Sequence, residues 1–136
     1  MLIEWHDSLR VGFEPIDREH QILVALINRL HDDVIVGRDR DTVEEGLFTL
    51  ADQVAAHFNH EDGLMRTWSY PDRPGHLLEH RRLIEQLDIL LDGIDLLTGP
   101  ALIEAIGFMD RWFTDHVVGS DARLGAYLRA STASAA

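Results

Sequence analysis

His20, His57 and Glu61, His76 and His80, His116 and Asp121 are five imidazoles and two carboxylates spread over four segments of the chain. Nitrogen and oxygen donors of this kind bind first-row transition metals. The spacing matters as much as the types. Four residues of α-helix turn the chain by about 400°, so His57 and Glu61 project from one helix face and His76 and His80 from another. A lone histidine on an apolar face is more often a hydrogen-bonded core residue than a ligand, and one four-apart pair arises readily by chance. The conjunction weighs the other way, because burying all seven groups without a metal would leave many polar atoms unsatisfied. A single zinc takes about four protein ligands, or about three plus water, so seven donors fit two ions better than one. Iron, copper, nickel and zinc all suit an imidazole-rich, thiolate-free site, and two carboxylates able to bridge neighbouring cations favour an octahedral iron pair over copper.

The elements that must carry these groups are helical. Ile16, His20, Leu23, Ile27 and Leu30 recur at helical spacing in a first segment that begins around Pro15 to Asp17 and ends near Gly37. A second segment, with Asp41 or Thr42 as its N-cap, runs through Leu47, Leu50, Val54, His57, Glu61 and Met65 until Tyr70-Pro71 and Pro74-Gly75 break it. The third carries His76, His80, Leu83, Ile84, Leu87, Leu90 and Leu91 as far as Gly99-Pro100. The fourth runs from Ala101 through Ile106, Met109, Trp112, Phe113, His116 and Val117 to about Leu128. No alternating strand pattern of useful length interrupts them. The expected fold is therefore all-α, an up-down-up-down four-helix bundle, with each helix pointing its donors into a common interior. Residues 1–14 do not follow the periodicity and read as an irregular arm anchored by Trp5 and Phe13. The domain is expected to span residues 1–130, leaving 131–136 as a disordered tail.

Composition narrows the function classes. The chain has 136 residues, enough for one hydrophobic core, and a formal charge of −12, which opposes nucleic acid and anionic membrane surfaces as partners. It has no cysteine, so disulfides, iron–sulfur clusters and thiol chemistry are excluded. The acidic start MLIEWHDSLR does not read as a signal peptide, and the longest apolar run, Ile22 to Ile27, is too short to span a bilayer. A cytoplasmic monomer is expected.

Five stretches together resemble the hemerythrins, in particular the single-domain bacterial ones. They are I-D-x-x-H at Ile16 to His20, H-F-x-x-E-D-x-x-M at His57 to Met65, Tyr70-Pro71, H-x-x-x-H at His76 to His80, and W-F-x-x-H-V-x-x-x-D at Trp112 to Asp121. The resemblance runs from Trp5 to about Leu128 and leaves no ligand position substituted. It implies that His76, His80 and His116 hold one iron and His20 and His57 the other. Glu61 and Asp121 would bridge the pair, with an oxo or hydroxo group between the ions. It further implies reversible O2 binding at the open position of the second iron, for storage, delivery or sensing. By family position, Leu23, Phe58, Trp112, Phe113 and Val117 would wall the O2 pocket. The competing expectations are a di-iron redox enzyme (peroxidase, oxidase or nitric oxide reductase) and an O2- or redox-responsive regulatory module. Hydrolysis by a dinuclear site is weaker, since His60-Glu61 does not continue as H-E-x-x-H.

Three features strain the resemblance. Phe113 stands where the family commonly has leucine, and Glu19 where it often has glutamine. His116 and Asp121 are five apart, about 140° around an ideal helix, so both face inward only if the turn widens. A π-type widening or bend is expected near Val117 to Ser120, with Gly119 permitting it. His60 is expected at the edge of the interior, and His31 lies about 16 Å along the axis from His20, too far to share its site. His6 has no assigned role.

Overall fold

A heptad-like apolar stripe on each segment drives the folding: Ile16, Leu23, Ile27 and Leu30 are buried on the first helix, Leu47, Leu50 and Val54 on the second, Leu83 and Leu87 on the third, Leu102, Ile106 and Met109 on the fourth. In the computed structural model, which describes residues 2–135, these stripes meet in one core. The helices are α1 (Glu14–Ile35), α2 (Arg40–Thr67), α3 (Arg73–Gly93) and α4 (Gly99–His116), followed by a π-helical turn (Val117–Asp121) and α5 (Ala122–Ala135). Short connections make neighbours antiparallel, and α4 returns to pack on α1, closing an up-down-up-down four-helix bundle. No strand occurs among the described residues.

Local chemistry sets the helix ends. α1 stops where Gly37 adopts φ +78, which lets Gly37 N–H bond Val34 O and Arg38 N–H bond Asp33 O. The same double closure ends α2, with Ser69 N–H on Arg66 O and Tyr70 N–H on Met65 O, although here a serine takes the left-handed conformation at φ 53. α2 begins earlier than Asp41 or Thr42 suggested. Asp39 is its N-cap and accepts from Thr42 N–H at 2.8 Å, because a carboxylate three residues ahead of a free amide caps it whatever follows. α3 ends at Gly93, short of Gly99, and a 3-10 turn at Ile94–Leu96 completes the connection.

The arm is ordered differently from the expectation. Ile3, Leu9 and Val11 are its buried anchors, while Trp5 and Phe13 are only half-buried against the core. Polar clamps fix it. Asn28 receives the amides of Leu2 and Ile3 at 3.0 and 2.7 Å, and the buried Asp17 carboxylate receives those of Val11 and Gly12 at 2.8 and 3.2 Å. Gly125 allows the close approach, since a Cβ there would run into the Val11 carbonyl. The arm's Met1 and the tail's Ala136 lie outside the described residues. Within the tail, residues 131–135 continue α5 as helix, favoured by alanine and by the Thr132 hydroxyl bonding back to Leu128 O at 2.8 Å.

Candidate metal centre

All seven sequence-predicted donors converge at one end of the core, each buried to 4 % exposure or less. α1 brings His20, α2 His57 and Glu61, α3 His76 and His80, α4 His116, and the π turn Asp121. The expected widening is there, over Val117–Asp121, and it carries Asp121 round to the face that His116 already occupies. Glycine is not what permits it. A Cβ at Gly119 would meet only Arg123 Nη1 at an ordinary 3.8 Å.

The donor atoms fall into two overlapping groups. One atom each from Glu61, His76, His80, His116 and Asp121 lie within 4.8 Å of one another, as do one each from His20, His57, Glu61 and Asp121. Each carboxylate turns one oxygen to each group. Glu61 Oε1 stands 2.9 Å from His76 Nε2 and 3.2 Å from His80 Nε2, while its Oε2 stands 2.7 Å from His57 Nε2 and 3.7 Å from His20 Nε2. Asp121 Oδ1 lies 3.1 and 3.0 Å from Nε2 of His76 and His116, and its Oδ2 lies 2.9 Å from His20 Nε2. The two carboxylates sit between the halves, which is the arrangement bridging ligands need.

The residues fit a pair of cations. His20 Nε2, His57 Nε2, Glu61 Oε2 and Asp121 Oδ1 are buried without a hydrogen-bond partner, a condition that costs about 1–3 kcal/mol per group unless an ion satisfies it. Charge tells the same story. Burial alone would raise the carboxyl of Glu61, yet the facing imidazoles of His20, His57, His76 and His80 hold it well below its ordinary value. Burial opposes charging His57 too, but the carboxylates of Glu19 and Glu61 outweigh it and push its pKa up to about 10. His76 goes to about 9 because Asp121 and Glu61 likewise outweigh its burial. Burial keeps His80 below its ordinary value, so without metal the protons gather on His57 and His76 opposite the two carboxylates, and metal loading would displace them.

Outside the donors stand two further carboxylates and an aromatic wall. His57 Nδ1 donates to Glu19 Oε1 at 2.7 Å, and Glu19 Oε2 accepts from His60 Nδ1 at 2.7 Å. His116 Nδ1 donates to Glu79 Oε1 at 3.1 Å, and the Ser120 hydroxyl reaches both Glu79 oxygens at 2.8 and 2.7 Å. Such partners fix the ring orientation and the tautomer that leaves Nε2 free. Phe58 stacks on His80 with centroids 3.6 Å apart, Trp112 stacks on His116 at 4.5 Å, and Phe113 meets His20 edge-on at 5.5 Å. Beside the cluster is a cavity of about 20 Å3, room for one small molecule. Its donor lining is His20, His57, His116 and Asp121; the rest is aliphatic or aromatic.

Residues 11–128 match the hemerythrin HHE cation binding domain family. The chain belongs to the hemerythrin family. It is 30 % identical over 119 residues to the bacteriohemerythrin of Pseudomonas aeruginosa strain PAO1, covering 87 % of this chain and 76 % of that protein. It is 27 % identical to the myohemerythrin of Theromyzon tessulatum, covering 87 % of each. The fold also superposes on the crystal structure of wild-type hemerythrin with a TM-score of 0.85 at 23 % identity, over 94 % of this chain and 98 % of the other.

In this hemerythrin the cavity takes Leu23, Phe58, Trp112 and Phe113 as lining, but not Val117. Val117 is buried, and its amide still bonds the Phe113 carbonyl as in an ordinary α-helical turn, but its side chain is not part of the cavity wall. Ile27, Leu50, Val54, Leu83, Leu87 and Met109 also line it. Continuing each donor's helix face by three, four or seven residues finds most of these. Glu19 and Glu79 had a weaker signal: each lies one residue before a predicted histidine and faces a histidine of another helix.

Proposed function

We propose that this hemerythrin binds O2 reversibly at a pair of irons held by His20, His57, Glu61, His76, His80, His116 and Asp121, in oxygen storage, delivery or sensing. The observation that carries the reading is the unequal split of donors around two shared carboxylates, with a small, mostly apolar cavity that reaches both imidazoles of the poorer half, His20 and His57, and only His116 of the three imidazoles of the richer half. In this assignment His76, His80 and His116 would hold one iron and His20 and His57 the other, which would have one protein ligand fewer. When bound, the pair would supply the redox chemistry, each Fe(II) able to give one electron to dioxygen and take it back.

The chain's own residues perform the rest. Glu61 and Asp121 would hold the halves together and cancel half of the charge that two Fe(II) ions bring. Glu19 and Glu79 orient His57 and His116 through their Nδ1 protons. Leu23, Phe58, Trp112 and Phe113 keep water and anions from the cavity, which favours release of the gas unchanged over its reduction. No side chain that could act as a general acid or base lines the cavity apart from the donors themselves, which supports binding over turnover. No helix among the described residues is long and apolar enough to cross a membrane, and a cytoplasmic, monomeric protein is the setting we propose.

Metal analysis with an optical titration from anaerobic to aerobic conditions tests this. The reduced protein should carry two irons per chain and give a stable oxygenated spectrum that reverses on deoxygenation. Rapid consumption of peroxide with a reductant, or an oxygenated form that does not reverse, would overturn the binding reading in favour of an enzyme.

A further inference from the structure

We infer that the groove between α3 and α4 is the port through which dioxygen enters and leaves the metal-site cavity, with Leu87 and Met109 as its inner door. This deepens the O2-binding reading and rests on it.

Two hollows share one wall. The groove has a volume of about 610 Å3, and the metal-site cavity about 20 Å3. Leu87 and Met109 line both, at 2 % and 5 % exposure, so a single layer of side chains separates the groove from the cavity. The groove exists because α3 and α4 are the least closely packed pair of neighbouring helices in the bundle. Gln86, Glu104 and Arg111 stand in its lining, but most of it is apolar and includes Ile89, Leu96 and Phe108, all exposed, a surface on which an apolar diatomic gains contacts that a hydrated ion does not. Methionine suits the door. Its unbranched side chain with three rotatable bonds and a polarisable sulfur can swing aside without moving the helix.

A rival mouth is less suited. The depression between α1 and α2 shares Leu23 and His57 with the cavity, but the Glu19 carboxylate and the Gln53 amide line it. Glu19 is tied to both His57 and His60 there. There a carboxylate sits directly on His57, which also lines the cavity, and holds water at its wall, whereas Leu87 and Met109 are the residues the groove shares with the cavity.

Ala105, half-buried on the groove wall, offers a plug that leaves the core intact. In iron-loaded protein studied by rapid mixing, Ala105→Trp should slow O2 association and dissociation alike by about tenfold, a barrier rise of about 1.4 kcal/mol. Met109→Ala should speed both, and Kd should stay unchanged in the plug because a door alters the path and not its ends. Gln53→Trp over the rival mouth should leave both rates as they are. If Gln53→Trp slows the rates and Ala105→Trp does not, the port is assigned to the wrong side. Xenon-pressurised crystals of the iron-loaded protein test the passage without oxygen chemistry. Xenon seated against Leu87 and Met109, and lost in Ala105→Trp, supports it; no xenon there in the wild type overturns it. A wild type that takes up xenon at that place but gives no oxygenated spectrum would retain the passage and reject the O2 reading.

Discussion

The two halves of the donor cluster share Glu61 and Asp121, and each has one histidine backed by a carboxylate of another helix, but they differ in imidazole count and in packing. The half with His76, His80 and His116 is packed: His80 lies flat under Phe58, His116 lies under Trp112, and Glu79, itself held by the Ser120 hydroxyl, ties His116 from behind. The half with His20 and His57 has one imidazole fewer and meets Phe113 by its edge, and both of its imidazoles line the cavity, against His116 alone from the other half. On the proposed reading, one half would hold an ion and the other would hold an ion and admit a guest. Substitutions that separate the halves are the way to test that division.

The largest effect should come from what the halves share. In Glu61→Ala or Asp121→Ala both lose a carboxylate at once, and the purified protein should hold well under half of the wild-type iron by metal analysis. Full occupancy with an unchanged spectrum would remove either residue from the bridging role. His20→Ala should divide the cluster, since it leaves all five donors of the other group in place. Roughly half of the iron should remain while O2 binding is lost. Equal loss of both irons would mean that the halves do not act separately.

Next come the residues that act through a ligand. Glu79→Ala frees His116 Nδ1 and Glu19→Ala frees His57 Nδ1, and each should weaken iron in its own half by about tenfold. Stepwise removal by a chelator, followed optically, distinguishes them: Glu19→Ala should release the iron beside His20 earlier than wild type, and Glu79→Ala should narrow the gap between the two steps. Release in the wild-type order and at wild-type concentrations in both variants would show that neither carboxylate supports its histidine as a ligand.

How much of this the sequence discloses depends on whether a residue's partner lies on its own helix. The bundle is legible because Leu23, Ile27, Leu83 and Leu87 repeat on one face, and His57 with Glu61 is legible because a four-residue step fixes their common direction whatever surrounds them. The π turn is legible for the opposite reason, as a five-residue step that an α-helix cannot satisfy. Glu19 and Glu79 meet their histidines across the bundle, 38 and 37 residues away in sequence, where no local period connects them. Ile3, Leu9 and Val11 are similar. The arm has no period, and its path is set by Asn28 and Asp17 on α1, so large aromatic residues were a poor guide to its anchors.

Phe113 offers the smallest and most selective test, because it belongs to the poorer half alone. It is 6 % exposed, touches His20 edge-on and lines the cavity. Phe113→Leu removes ring volume from a packed wall and should cost about 1 kcal/mol of stability, well within what the bundle tolerates. The iron content should not change, since no donor loses a bond. The space gained lies against His20 and His57, where water reaching the cavity would favour irreversible oxidation, so autoxidation of the oxygenated protein should quicken several-fold while the spectrum keeps its shape. Rates equal to wild type would show that Phe113 only packs, and that the resistance to water comes instead from Leu23 and Trp112.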